Sequence, residues 1–410
     1  MTRRPTVLAI VQAGGKGSRM DVLTRERAKP ALPFGGRYQL IDFAISSLAN
    51  SGISDVWVSV QYQAGSLDRH LAGGRPWDLD RTRGGLQRLV PEQGGGAATQ
   101  TGFSAGDADD LYRSRDQIDR FGADAVVVTS ADHVFALDLR DVVDEHLSTG
   151  ASCTIVTTEV SRKQAAAKAV VTVVDDGRVT GVAYKPEKPS GTILASEIFV
   201  YDPAALLPAL DAIRADQVGS ADEGDTGIGD FGEHLLPRLV AGGAVRAHAM
   251  TGYWRDLGTP SEYLAAHRDM LAGKVDAIGR PGWPIHTRWP ELPAAVVRPG
   301  AEIDDSVISA GCDIGGHERH SVVGPGVVVE AGARVEDCVL AANLRVCRGA
   351  SVGTAVLDSG VEVGRDASVG EVAGGRRLAD EQVTLVGKDS VEGRRVVIDA
   401  GGRLEPGTRA

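Results

Sequence analysis

Val323-Gly-Pro-Gly-Val-Val-Val-Glu-Ala-Gly-Ala-Arg-Val335 places valines six positions apart, at 323, 329 and 335. Glycines and small residues fill the gaps. The same spacing links Val297 to Ile303, Val346 to Val352 and Val363 to Val369. A six-residue period marks a parallel β-helix of hexapeptide repeats. One coil cannot bury its own apolar row, so coils must stack. Asp305-Ser-Val-Ile, Asp337-Cys-Val-Leu and Thr354-Ala-Val-Leu-Asp recur as strand-like insertions. An ordinary glycine-rich β domain would not keep this register. The outer edge of such a stack needs cover, from the rest of the chain or from another subunit.

Upstream, Pro281 to Pro299 holds five prolines and two tryptophans, an ordered linker. Before it the periodicity differs. Strands are expected at Thr6–Val11, Val56–Val60, Ala125–Ser130 and Cys153–Thr157. Helices are expected at Arg37–Ser51, Asp110–Phe121 and Leu139–Leu147. Continuous apolar strands separated by helices predict an α/β, mostly parallel, doubly wound sheet covered on both faces. The domains expected are 1–275, a linker over 276–295, and a β-helix over 296–410.

Composition bounds the function. Of 410 residues, 42% are hydrophobic and 24% charged, which excludes a disordered chain. No run of 18 apolar residues exists, so no membrane span is expected. The N-terminal apolar stretch is too short for a secretory signal and reads as a buried strand of a cytoplasmic protein. A net charge of −11 argues against a nucleic-acid surface. Cys153, Cys312, Cys338 and Cys347 lack CxxC spacing, so buried thiols are expected rather than zinc or disulfides.

Four segments carry chemistry. Ala13-Gly-Gly-Lys-Gly-Ser-Arg-Met20 follows the first strand. Its glycines, Gly14, Gly15 and Gly17, let backbone N–H groups approach a phosphate, or form a plain turn. It is neither a Walker loop nor a dinucleotide fingerprint. Arg19 and, in Ala28-Lys-Pro30, Lys29 bring two cations to that loop. Asp132 stands just past a buried strand, as an Mg²⁺ ligand or a helix cap. Asp256, in Gly252-Tyr-Trp-Arg-Asp-Leu-Gly-Thr-Pro260, is a second carboxylate or a turn residue. Lys185, between Tyr184 and Pro186, is a second phosphate clamp or an exposed turn. Together they form a two-phosphate, one-metal pattern suited to attack of one phosphate on another. His70 and His133 lack metal-ligand spacing with other histidines and read as structural.

With Arg27-Ala-Lys-Pro-Ala, Phe34-Gly-Gly, Ile41-Asp-Phe, Gln61-Tyr62, Ser66-Leu-Asp-Arg-His70, Ser130-Ala-Asp-His and Asp230-Phe-Gly232, these segments resemble the bacterial glucose-1-phosphate adenylyltransferases. These belong to the sugar-1-phosphate nucleotidyltransferases. The resemblance implies a catalytic domain followed by a left-handed β-helix, assembled as a homo-oligomer. It implies that an NTP and a sugar 1-phosphate give an NDP-sugar and pyrophosphate. Arg19 and Lys29 would neutralise pyrophosphate, Asp132 and Asp256 would hold Mg²⁺, Lys185 would bind the sugar phosphate, and Gln93 and Gly106 would line the base.

Several positions depart from that family. Asp107 replaces a threonine and Glu92 a glutamine near the base. Lys168-Ala169 replaces a Phe-Gly pair near the sugar. Tyr184 replaces a glutamate, although some relatives share that change. Ser196, expected with Tyr184, Ala169 and Lys185 at the sugar phosphate, is kept, but Glu197 follows it there. Carboxylates suit guanine's N1–H and N2–H₂ donors better than adenine, so GTP is favoured over ATP. The altered sugar positions favour a different ring, which resembles the branch that uses valienol 1-phosphate, a cyclitol of antibiotic pathways. The alternative is a glucose-1-phosphate adenylyltransferase serving glycogen synthesis. A non-catalytic subunit of the same fold is a third reading, opposed by the presence of every clamping residue.

Overall fold

The computed structural model describes residues 4–90, 103–217 and 226–410. Nine strands build the first sheet: β1 (Val7–Gln12), β2 (Asp55–Ser59), β3 (Gly85–Leu89), β4 (Ala125–Ser130), β5 (Cys153–Glu159), β6 (Ala169–Val173), β7 (Val179–Tyr184), β8 (Ile193–Tyr201) and β9 (Val245–Ala249). β1 lies in parallel between β2 and β4, and β3 extends the sheet beyond β2. β8 runs antiparallel to both β4 and β5, while β9 is parallel to β5. The sheet is therefore parallel at its centre and mixed beyond β4.

The strands read as unbroken apolar runs because both faces are covered. Ala9, Val11, Val56, Val58 and Val127 pack towards Ile41–Asn50 and Leu139–Thr149. Leu8, Ile10, Val126 and Val128 pack the other way, with Leu206 and Leu210 of Pro203–Asp216.

Two expected helices come out differently. The first starts at Ile41, because Pro33–Phe34 and Tyr38–Gln39 form a hairpin through Gly35 and Gly36, whose φ values are 61° and 70°. The stretch 110–121 divides into Asp107–Arg113 and Arg115–Phe121, meeting at Ser114.

From Val296 onward, three parallel sheets of six short strands each form the faces of a helical stack. One ladder runs Val297, Ile314, Val329, Val346, Val363, buried from Ile314 onward while Val297 stands exposed at the open end. Another runs Ile303, Glu318, Val335, Val352, Val369. The six-residue period is thus one face of a coil. The stack packs on the first body through an apolar cluster that joins Met20, Phe34 and Tyr263 to Val339, Val356 and Leu385. Buried ion pairs flank it, Arg27 with Asp358 at 2.6 Å and Arg268 with Asp337. All four cysteines are buried and free. No helix among the described residues is long and apolar enough to cross a membrane.

Candidate functional site

A cavity of about 380 Å³ opens at the carboxyl ends of β1 and β4, where open α/β sheets place their ligands. The glycine loop leaves β1 directly into it. At Gly14 a Cβ would lie 2.6 Å from Gln61 Nε2 and would push that side chain aside. Gly17, at φ 66°, turns the chain where a Cβ would touch Lys29 Cβ at 3.0 Å. Gly15, Lys16 and Arg19 line the cavity beside Lys29.

The two aspartates are brought together by a short ladder. His133–Val134 pairs antiparallel with Arg255–Asp256, and Asp256 stands opposite His133. Asp132 precedes that ladder, so two carboxylates far apart in the chain converge. Lys29 Nζ is paired with Asp132 Oδ2 and lies 3.4 Å from Asp256 Oδ1. Pro30 at the start of the turn Lys29–Ala31 fixes the backbone that carries this lysine.

Two further residues complete the centre. Lys168 Nζ is paired with Asp256 Oδ2 and lies 3.3 Å from Glu197 Oε1. His133 is fully buried, and its Nε2 lies 3.4 Å from Asp132 Oδ1, 3.5 Å from Glu197 Oε2 and 3.8 Å from Asp256 Oδ1. Neither ring nitrogen has a hydrogen-bond partner among the described residues. The structural reading of His133 is therefore corrected: it stands at the middle of the carboxylates. His70, bonded to Asp42 at 2.5 Å, is structural.

Electrostatics follow this geometry. Burial raises the carboxyl of Asp132, but Lys29 and His133 outweigh it and bring it down to about 2. Burial likewise opposes ionisation of Asp256, and Lys29 and Lys168 hold it well below the usual range. Burial would lower Lys29, yet Asp132 and Asp256 raise it. Burial would lower Lys168, yet Glu197 and Asp256 raise it. All four groups stay charged, each compensated by the others.

At the other end of the cavity, Tyr184 Oη donates to Asp230 Oδ2 at 2.5 Å. Lys185, with φ 45°, lies 3.6 Å from Asp230 and over the Tyr184 ring. Ala169, Gly106 and Glu197 line the same cavity. Gly106 abuts Gly229 so closely that a Cβ would sit 2.3 Å from its carbonyl carbon. Asp107 lines this cavity too. Burial pushes its carboxyl well above the usual range, and Glu197 and Asp230 add to that. Ser196 is fully buried, and its hydroxyl donates to the Val156 carbonyl at 2.8 Å. That hydroxyl is spent on the sheet, which corrects its assignment to the sugar phosphate. Glu92 and Gln93 lie outside the described residues.

Sequence reading had left Lys168, His133 and Asp230 without roles. Lys168 carried a signal, a charge where the resembled family has an aromatic. His133 closed the Ser130-Ala-Asp-His motif, but its partners Glu197 and Asp256 come from other parts of the chain.

A family model described as nucleotidyl transferase matches residues 8–273, and one described as GlmU-like, C-terminal hexapeptide matches residues 293–391. The chain is 36% identical to the glucose-1-phosphate adenylyltransferase of Thermomicrobium roseum, over 85% of this chain and 83% of that one. It is 35% identical to that of Corynebacterium jeikeium, over 97% and 100%. Against that of Thermotoga maritima it is 35% identical, over 80% and 76%.

Proposed function

The chain belongs to the nucleotidyl transferase family and is a sugar-1-phosphate nucleotidyltransferase, and we propose that it converts ATP and glucose 1-phosphate into ADP-glucose and pyrophosphate. The observation that carries the reading is the ladder that seats Asp132 and Asp256 together under Lys29. A phosphate oxygen of the sugar attacks the α-phosphorus, and the bond to the β-phosphate breaks. Arg19, Lys29 and the N–H groups of Gly14, Gly15 and Gly17 take the charge of the departing pyrophosphate. Lys185 holds the sugar phosphate in line.

Asp132 and Asp256 fit Mg²⁺, which takes one or two carboxylates plus phosphate oxygens. What supports that fit is His133 Nε2, 3.4 and 3.8 Å from their Oδ1 atoms and without a hydrogen-bond partner among the described residues. Bound there, Mg²⁺ supplies charge neutralisation to the phosphates.

The adenylyl reading draws on the relatives, which are named as glucose-1-phosphate adenylyltransferases. A second reading, GTP with a carbocyclic ring such as valienol 1-phosphate, draws on the altered sugar end, where Tyr184 bonds Asp230 and Glu197 faces the cavity. The test crosses ATP, GTP, UTP and dTTP with glucose, mannose and valienol 1-phosphates and measures pyrophosphate. Turnover confined to ATP with glucose 1-phosphate is expected. Turnover confined to GTP with the cyclitol would replace the first reading by the second.

A further inference from the structure

Asp256 is shared by two lysines. Lys29 approaches its Oδ1 and Lys168 its Oδ2. Lys29 is committed to Asp132 as well. Lys168 has a different second partner, Glu197, 3.3 Å away. Glu197 belongs to no phosphate clamp. It stands in the middle of β8 at φ 60°, where the ladder register breaks between Ala195 and Phe199. A left-handed backbone is unfavourable for a side chain such as glutamate. Without that local break the strand would keep a regular pleat, so the irregularity is what aims this carboxylate at the lysine.

Lys168 is itself positioned by backbone. Its carbonyl accepts from Lys185 N at 3.0 Å, which ties the two cavity lysines across neighbouring strands. Its stem is largely buried, with 18% side-chain exposure, and its ammonium reaches the centre rather than solvent. A cation sitting on a metal carboxylate competes with the metal for it. The competition is relieved only if the ammonium has somewhere else to go.

We propose that Lys168, a resident cation shared by Asp256 and Glu197, gives up Asp256 to a divalent ion and then pairs with Glu197 alone. Glu197 is then a positioning residue for the ion, acting through Lys168. This rests on the reading of Asp132 and Asp256 as the metal carboxylates. With the ion absent, Lys168 compensates a buried carboxylate that would otherwise be costly to leave alone. With the ion present, the Lys168–Glu197 pair keeps the lysine's charge from opposing it.

The test measures Mn²⁺ binding to the full chain, without substrates, by the loss of the free-ion electron paramagnetic resonance signal. Asp132→Asn and Asp256→Asn should each abolish tight binding, and retention in both would refute the underlying metal assignment. Lys168→Met should tighten Mn²⁺ by about tenfold, because it removes both a competitor for Asp256 and a like charge beside the ion. Glu197→Gln should weaken it, because Lys168 then has only Asp256. In Lys168→Met/Glu197→Gln the weakening should vanish. If the aspartate variants behave as stated but Lys168→Met leaves Mn²⁺ affinity unchanged or lower, the displacement is wrong. If Glu197→Gln weakens binding equally in the double variant, Glu197 ligates directly and the proposal fails. Lys168→Gln, with an uncharged stem that can still hydrogen-bond Glu197, repeats the test should the methionine disturb folding.

Discussion

Asp132 and Asp256 show what a single carboxylate does here. Each is kept ionised by a lysine, and one two-residue ladder, which Asp132 precedes and Asp256 belongs to, brings them together. Asp132→Asn and Asp256→Asn keep the shape but lose the charge. Each should lower kcat by about 10²- to 10³-fold or more, with an unchanged circular dichroism spectrum. Near-normal turnover in either would remove that residue from the centre. Tyr184→Phe should raise KM for the sugar phosphate, because Asp230 loses the Tyr184 hydroxyl at 2.5 Å. Asp107→Asn should leave the GTP-to-ATP ratio of kcat/KM unchanged, and a shift in that ratio would return Asp107 to the base. Lys29 and Asp256 stood out because each stands in a glycine- or proline-marked segment, and Asp132 because it follows an unbroken apolar strand. Lys168 and His133 were not, since their meaning lies in carboxylates that arrive from other strands. Ser196 misled because a motif position says nothing of where a hydroxyl points.

The elements carry their own tests. Glu318 takes a rung between Ile303 and Val335, fully buried, with neither carboxyl oxygen hydrogen-bonded among the described residues. Burial pushes it up to about 8. The folded chain therefore holds a proton that the unfolded chain releases above about pH 4.5. Stability falls as pH rises from there to about 8. Glu318→Val should raise Tm, and raise it more at pH 8 than at pH 5. His267 works in the opposite direction. Gly35 N donates to its Nε2 at 3.2 Å, and its Nδ1 meets the Tyr263 carbonyl at 2.9 Å. Burial lowers it to about 4, against the lesser pull of that carbonyl. The unfolded chain binds this proton first, so stability is lost as pH falls from about 6.5 to about 4. His267→Gln should flatten the fall of the urea midpoint over that window. The β-helix was legible because its period is strict. The break at Ser114 and the hairpin before Ile41 were not, because local turn geometry overrode the apolar pattern.

At the scale of the whole molecule, the segment that carries Lys29 lies against the β-helix. Arg27 pairs with Asp358 at 2.6 Å, Arg25 with Glu405 at 3.0 Å, and Asp21 with Arg403 at 3.1 Å. The first of these is buried, and removing one partner of such a pair costs about 3–5 kcal/mol. Asp358→Asn should therefore lower Tm and raise KM for the nucleotide, although Asp358 lies outside the catalytic cavity. A lowered Tm with an unchanged KM would show that the clamp serves stability alone. The order of the two bodies was legible from the change in period. The docking was not, because pairs such as Arg27 and Asp358 are local accidents in sequence and partners only in space. Pyrophosphate release from ATP and glucose 1-phosphate with Mg²⁺, by the native chain and by Asp132→Asn, joins all three scales. Steady release by the native chain and its near-complete loss in the variant is the predicted result. Equal release by both, or none from the native chain with any nucleotide and sugar phosphate tried, would contradict it.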